Sequence, residues 1–168
     1  MEPVISDSRG IKGMLVSFRR IMDQIDRKTS VVFLGQPYTC TPLVDFCMYV
    51  IRDIGCTAYY IPLTKVEEAV DIRLGTVSVE YGAKASLQSV DVIVLMGGLA
   101  MPNVCTIEEV QDVLNALSHE GTTVVGMCFM NMFDRAGWTP VIPFSYVENC
   151  DLTTMVERDD DAPWKEKE

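Results

Sequence analysis

Residues 90–131 read VDVIVLMGGLAMPNVCTIEEVQDVLNALSHEGTTVVGMCFMN, and this stretch decides the fold class. Its two continuous apolar runs, at 90–96 and 122–127, are typical of strands that are covered on both faces in a parallel sheet. Between them, Thr106 is placed to cap an amphipathic helix whose apolar side chains form a single stripe, and Gly121 follows the end of that helix. The order strand, helix, strand predicts an α/β protein.

The same alternation of helices and strands extends outward from this stretch. Residues 11–26 place apolar side chains at helical spacing, which predicts an amphipathic helix before the first strand. Near the other end, Pro140 and Pro143 bar the last apolar run, 141–147, from the centre of a sheet and predict an edge strand. The other predicted elements are a strand at 31–35, a helix from Thr41 as N-cap and Pro42 to Ile54, a strand at 56–61, a short helix at 65–71 and a strand at 74–81.

These elements predict a single domain over residues 1–156, within which residues 1–30 form a helical extension. We expect a three-layer α/β sandwich with a mainly parallel sheet, a flavodoxin-like or amidotransferase-like strand order and an extra N-terminal helix. The tail at 157–168 is acidic, lacks apolar periodicity and is predicted to be disordered.

The composition argues against several function classes. The chain of 168 residues carries a formal net charge of −10, so it lacks the basic surface that dominates affinity for nucleic acids. Its apolar runs are shorter than the roughly 18 residues of a membrane helix, and its first residues do not have the pattern of a secretion signal. The six cysteines contain no C-x-x-C pair and are expected to be reduced. We therefore expect a cytoplasmic protein that binds neither nucleic acid nor membrane.

Cys128 is the candidate catalytic residue. It follows the predicted strand, where a tight turn would present its thiol as a nucleophile, with the amides of Gly97 and Gly98 nearby to hold an oxyanion. The ordinary interpretation is a small buried side chain, which free cysteine often is. The single histidine, His119, is predicted at the opposite edge of the sheet, where it would interact with the last carbonyls of its helix. The sequence therefore offers no standard hydrolase triad.

Three cysteines, Cys40, Cys105 and Cys128, come after predicted strands and would converge on one edge of a parallel sheet. Grouped thiols are suited to a redox or metal centre, but no two of these stand at chelate spacing, so no metal is assigned. The hydroxyls of Thr39 and Thr41 flank a helix N-terminus after the first strand, an arrangement suited to a phosphate, a nucleotide or a flavin. Because this loop lacks the glycines and lysine of a P-loop, its ordinary interpretation is a capped helix entry.

Four stretches carry a resemblance to a known superfamily: VVFLGQP, FCMYVIRDIGCTAYYIPL, VDVIVLMGG and EEVQDVLNALSHEGTTVVGMCFMNMFDRAGW. They fall within residues 31–138 and resemble the class I glutamine amidotransferase-like superfamily, in particular its PfpI/ThiJ branch. The resemblance implies that Gly97 and Gly98 supply an oxyanion hole and that Cys128 is the nucleophile. The chain departs from the branch at Phe129, where the branch has a histidine, and in the first loop, which has no acidic residue. The resemblance therefore implies the fold more strongly than it implies hydrolysis.

Over its whole length the chain also resembles an archaeal family of small acidic α/β proteins of unknown function. We expect the protein to bind a small molecule at the C-terminal edge of the sheet, with Cys128 at the site and no cofactor assigned. Three alternatives stay open: a cysteine-dependent hydrolase or amidotransferase-like enzyme, a redox or metal-binding protein, and an assembly module without catalysis. A homodimer is expected because the apolar helix face and the edge strand must be covered. The expected ligand-binding residues are Gly97, Gly98, Thr39, Cys40, Thr41 and Cys105.

Overall fold

The computed structural model of the chain describes residues 8–157. Within this range, seven strands form one sheet and four α-helices pack on it. The predicted tail at 157–168 lies outside the described residues except for Glu157. The strands are β1 (Ser30–Gly35), β2 (Thr57–Pro62), β3 (Val70–Leu74), β4 (Val79–Lys84), β5 (Val92–Met96), β6 (Thr123–Phe129) and β7 (Tyr146–Cys150). The helices are α1 (Gly10–Gln24), α2 (Thr41–Val50), α3 (Ile107–Leu117) and α4 (Met132–Arg135).

The sheet is mixed, with strand order β4-β3-β2-β1-β5-β6-β7. β2, β1, β5, β6 and β7 run parallel, whereas β3 and β4 add an antiparallel hairpin at one edge. The α/β class and the mainly parallel sheet are therefore confirmed. From β1 the chain first builds outward to β2 and then returns to the other side of β1 with β5, which makes the gap between β1 and β5 a topological switch point.

Side chains of the central strands alternate between two hydrophobic cores. Val31 and Phe33 face the core that α1 and α2 cover, and Val32 and Leu34 face the core that α3 covers. Because both faces are buried, the central strands read as continuous apolar runs rather than as alternating ones. No helix within residues 8–157 is long and apolar enough to cross a bilayer.

The region between β2 and β5 differs from the prediction. The predicted helix at 65–71 is only a 3₁₀ turn at Val66–Glu68, and the predicted strand at 74–81 is a hairpin of two strands. The Gly75 amide donates to the Ser78 carbonyl at 2.9 Å and closes the hairpin turn in the middle of the alternating run. The alternation of apolar and polar residues did not reveal this turn, because Val77 at its tip continues the pattern of a strand.

The last strand is an edge strand, as predicted, but it lies further along the chain than 141–147. β7 begins only at Tyr146, because the preceding segment packs Trp138 and Ile142 into the α3 core instead of extending the sheet. The short helix α4, which the sequence analysis missed, follows two residues with left-handed backbone, Met130 and Asn131.

The helix ends show which capping signals were informative. Around α3, the amide of Glu109 donates to Thr106 Oγ1 at 3.2 Å and the amide of Thr106 donates to Glu109 Oε2 at 2.8 Å, a complete capping box. The predicted cap at Thr41 is wrong, because Cys40 is the N-cap and no side chain caps α2. This helix also ends at Val50 rather than at Ile54.

Candidate functional site

The Gly97-Gly98 turn follows β5 and lies between two buried cysteines. A Cβ added at Gly97 would lie 2.5 Å from Cβ of Cys128, and one added at Gly98 would lie 2.5 Å from Sγ of Cys40. The strand ends therefore bring Gly97, Gly98, Cys40 and Cys128 together, and close packing alone explains why both turn residues lack a side chain. Thr39 also reaches this turn, with Cγ2 3.7 Å from the position of a Gly98 Cβ.

Cys128 is buried inside β6, not exposed on a turn after it, so that prediction is wrong. Its side chain is 2% exposed, and Sγ donates to Asn149 Oδ1 at 3.6 Å. Burial raises the pKa of the Cys128 thiol, although the amides of Phe133 and Met132 oppose the rise. The sharp left-handed turn comes two residues later, at Met130 with φ 55°. The position with the geometry of a nucleophile elbow therefore carries a thioether instead of a nucleophile.

Cys40 is the second thiol at the Gly-Gly turn. Burial raises its pKa, and the amides of Gln36 and Gly98, which face its sulfur, only partly oppose the rise. The Gly98 amide is thus directed to Cys40. The amidotransferase-like interpretation predicted that this amide would stabilise an oxyanion formed at Cys128. In the structure the amide faces the sulfur of Cys40 instead.

Cys105 is separated from Cys40 by the sheet. It packs against the core of α3, to which Cys128 also belongs, whereas Cys40 packs in the core of α1 and α2. Burial raises the pKa of the Cys105 thiol and the charge of Glu109 adds to the rise, while a hydrogen bond with Thr64 opposes it. Within the part of the chain that the structure describes, no three His, Cys, Asp or Glu side chains are grouped to hold a metal ion. In this structure the thiols of Cys40, Cys105 and Cys128 are therefore not grouped around one metal position, as the metal alternative would require.

The entry to α2 offers little to a phosphate. The amide of Thr39 donates to the Pro37 carbonyl at 2.8 Å, and that of Cys40 donates to the Gln36 carbonyl at 2.9 Å. The Leu43 amide donates to the Cys40 carbonyl at 2.9 Å. Anion sites at helix N-termini depend on amides that are free to donate outward, and here internal carbonyls already use the amides of Thr39, Cys40 and Leu43.

Left-handed backbone at residues other than glycine is concentrated at the C-terminal edge of the sheet. Every such residue in the described range lies in a loop that follows β1, β2, β5 or β6. At the opposite edge, the turns before β2 and β6 use Gly55 and Gly121 for positive φ, which relieves the strain. The five strained residues are Tyr38 (φ 66°), Leu63 (φ 58°), Asn103 (φ 63°), Met130 (φ 55°) and Asn131 (φ 54°).

The first loop of this edge also holds an unsatisfied polar atom. Gln36 directly follows β1, and its Oε1 is buried without a hydrogen-bond partner among the described residues. Its Cβ lies 3.6 Å from the position of a Gly98 Cβ, so the side chain borders the switch point. Tyr38 in the same loop is 93% exposed, and Met130 across the edge is 61% exposed. The sequence analysis missed Gln36 because a single glutamine after a strand carries no recognisable pattern.

His119 and Asp91 lie at the other edge of the sheet. The Nε2 atom of His119 is 3.1 Å from Asp91 Oδ1 and its Nδ1 atom is 2.7 Å from the Glu120 carbonyl, so the predicted contact with the last carbonyls of α3 is wrong. Asp91 is 3% exposed and also accepts from the Thr29 amide at 2.8 Å and from Arg27 Nε at 3.0 Å. Burial alone would raise the pKa of Asp91, but the hydrogen bonds from Thr29, His119 and Ser30 lower it to about 2. This cluster joins β1, β5 and the loop before β6, and it keeps the histidine away from Cys128.

A surface groove of about 510 Å³ lies along α3, between Glu108, Asp112, Val141 and Pro143. It is open and acidic, and none of the strained residues lines it. Neither its position nor its residues coincide with the predicted site.

The molecule is thus an α/β protein with a mixed, mainly parallel sheet and a cluster of strained loops at one sheet edge. Its sequence belongs to the family described as "Uncharacterized protein conserved in archaea (DUF2124)", whose model matches residues 9–153. An uncharacterized protein of Methanothermobacter thermautotrophicus is 36% identical over 155 residues, which cover 92% of this chain and 97% of the relative. An uncharacterized protein of Methanocaldococcus jannaschii is 34% identical over 148 residues, which cover 86% of this chain and 87% of that relative.

The fold is also found in a solved structure. The crystal structure of a protein of unknown function from Methanothermobacter thermautotrophicus superposes with a TM-score of 0.86 at 34% sequence identity. The superposition covers 95% of this chain and 99% of that one. The predicted membership of an archaeal family of small α/β proteins is therefore confirmed.

Proposed function

We propose that this protein binds a small uncharged molecule at the C-terminal edge of the sheet, between the loops that follow β1, β5 and β6. The observation that carries the proposal is the placement at this one edge of all five left-handed non-glycine residues within 8–157, of which Tyr38, Leu63 and Met130 are not asparagines and bear the larger strain. A non-glycine residue in a left-handed conformation costs about 1–2 kcal/mol, and such strain is concentrated at ligand sites in proteins. Tyr38 is exposed, so a glycine in its place would relieve the strain without loss of packing.

The strand order supports the same location. We interpret the order β2-β1-β5-β6-β7 of the parallel strands as flavodoxin-like, and in that arrangement ligands bind beyond the strand ends at the switch point. In the proposed site, Gly97 and Gly98 form the floor, Cys40 and Cys128 lie beneath it, and the remaining predicted residues border it. These bordering residues are Thr39, Thr41 and, towards β2, Cys105.

The chemistry of the loops favours an uncharged hydrogen-bond donor. Gln36 Oε1 is an acceptor without a partner and would receive an N–H or O–H group of the ligand. At the entry to α2, internal carbonyls already use the amides of Thr39, Cys40 and Leu43. Lys65, the cation in the loop after β2, pairs with Glu68 at 3.2 Å. The exposed ring of Tyr38 offers an apolar face to a planar group. A neutral nucleoside has this combination of properties, and a nucleotide or flavin phosphate does not suit it.

The amidotransferase-like pattern is interpreted as a shared scaffold without the hydrolytic chemistry. Cys128 is held as a buried thiol, and His119 interacts with Asp91 at the opposite edge. We place the protein in the cytoplasm, where its six free cysteines stay reduced, and treat residues 1–156 as one domain. We also propose a homodimer, because β4 is an exposed edge strand; sedimentation that gives monomer at every concentration would contradict this part.

Titration of ¹⁵N-labelled protein with adenosine, and separately with AMP, tests the proposed site. We expect adenosine to shift the Gln36 side-chain amide and the backbone amides of 36–41 and 97–103, and AMP to do so more weakly. Gln36→Met should abolish the shifts, whereas Gln88→Met, a matched change of an exposed glutamine before β5, should leave them intact. Shifts at the opposite edge, or none with either compound, would contradict the proposal.

A further inference from the structure

Glu148 is a carboxyl group inside the core that α1 and α2 cover. Its side chain is 7% exposed, and neither carboxyl oxygen has a hydrogen-bond partner among the described residues. It stands on the edge strand β7, where it pairs in register with Met127 of β6. A buried carboxyl without a partner strongly disfavours its charged form, so this residue is expensive to keep in a core built only for stability.

The neighbours of Glu148 provide no countercharge. On β7 it shares a sheet face with Tyr146 and Cys150, and from α2 it is approached by Cys47, whose pKa is raised by burial and by the charge of Glu148. The residues that α1 buries are Gly13, Met14, Phe18, Ile21 and Met22, none of which ionises. The half-buried Arg19 of α1 is directed to the end of α2, where it donates to the Val50 carbonyl at 3.2 Å and to Asp53 Oδ1 at 2.6 Å. β6 adds the uncharged Met127.

Burial raises the pKa of Glu148 to about 8, so the group is protonated in the folded protein at neutral pH. The thiols around it ionise only at higher pH: burial and the charge of Glu148 raise the pKa of Cys150 to about 12. Between pH 5 and 8, Glu148 is therefore the group in this core whose ionisation changes.

We propose that Glu148 is a proton-controlled latch for α1. The protonated carboxyl allows α1 to remain packed on β7, and its ionisation releases the helix, because a carboxylate must reach water. α1 is the element that can move without breaking the sheet. It packs on α2 and β7, and its Phe18 also lies against Phe33 of β1, but it makes no ladder, whereas β7 is held by a full ladder to β6. This latch is independent of the ligand site, since Glu148 lies beneath α1 and not in the strained loops.

The sign of the effect follows from linkage. The folded pKa lies above the usual value of 4.5, so the closed state binds the proton more tightly and the opening of α1 becomes more favourable as the pH rises. For pKa values of 4.5 and about 8, the opening equilibrium rises about 50-fold between pH 6 and 8 and then levels off.

Hydrogen exchange of the full chain, corrected for intrinsic exchange rates, tests the latch. We expect protection of α1 amides to fall about 50-fold from pH 6 to 8 while β5 amides stay protected. Glu148→Gln should remove this dependence, and Glu67→Gln, a matched change of an exposed acid, should retain it. Equal loss of protection in α1 and β5, or the same loss in the Glu148→Gln variant, would overturn the proposal.

A second measurement does not depend on a variant that folds. The carboxyl carbon of Glu148 is followed by ¹³C NMR in the unmodified protein while the pH is raised. A titration midpoint above 7 supports the latch, and a midpoint near the ordinary value of 4.5 overturns it.

Discussion

Replacement of Asp91 by asparagine should destabilise the protein by about 2–3 kcal/mol at pH 6. The carboxylate accepts from Thr29, Arg27 and His119, and its pKa is about 2 instead of the ordinary 3.8. A difference of 1.8 between these values corresponds to about 2.4 kcal/mol of stability. An asparagine in the same place turns an N–H₂ group towards donors, which adds a smaller penalty.

The pH dependence gives this prediction its sign. Because the folded pKa is lowered, the stabilisation is present above pH 3.8 and is lost as the pH falls through 2. The linkage relation gives about 2.4 kcal/mol at pH 6, about 1.3 kcal/mol at pH 3 and about 0.4 kcal/mol at pH 2. The difference between the wild type and Asp91→Asn should therefore shrink as the solution is acidified.

Urea denaturation at these three pH values measures the difference, with Asp112→Asn, an exposed acid of α3, as the matched control. The control should change the free energy of unfolding by less than about 0.5 kcal/mol at each pH. If Asp91→Asn costs the same at pH 2 as at pH 6, or costs less than about 1 kcal/mol at pH 6, the charge of Asp91 does not stabilise the fold in the way described.

Three further predictions concern the C-terminal edge. Tyr38→Gly should raise the free energy of unfolding by up to about 1 kcal/mol in urea denaturation, because it relieves left-handed strain at an exposed side chain; a loss of stability would argue against strain. Gly98→Ala should cost about 1–3 kcal/mol because its methyl group would meet Sγ of Cys40, and a double-mutant cycle with Cys40→Ala should give strong coupling; additive effects would show that the contact is not tight. Cys128 should resist alkylation in the native protein at pH 8 and react only after unfolding, as measured by peptide mass spectrometry. Labelling of the native protein with a midpoint pH below about 8.5 would instead support the hypothesis of a thiol enzyme.

The sequence was sufficient for the parts of the fold that depend on long apolar runs. β1, β5 and β6 are continuous runs of buried residues, and the capping box at Thr106 locates the start of α3. The β3–β4 hairpin was not predicted, because a valine at the tip of its turn continues the alternating pattern of the strands. In that region the register is set by pairing with β2, which is a tertiary contact.

The sequence predicted the position of the candidate site better than it predicted the chemistry of the residues there. The rule for strand ends located the Gly-Gly turn and the two cysteines beside it, since it depends only on topology. Burial of Cys128 agrees with the ordinary interpretation of a free cysteine, whereas the unpartnered Gln36 Oε1 depends on exact packing, which no local pattern encodes. For the same reason the sequence analysis did not single out Glu148, whose buried carboxyl oxygens have no hydrogen-bond partner among the described residues.

The unequal use of glycine at the two ends of the sheet also decides where this protein tolerates engineering. The turn at Gly55 has open space around it and relaxed backbone, so a tag or a new chain terminus inserted there disturbs little. Insertions in the loop around Tyr38, by contrast, would release conformations that the rest of the fold holds in place. Reporter groups for studies of this family therefore belong at the glycine end, where they leave the strained end free to respond.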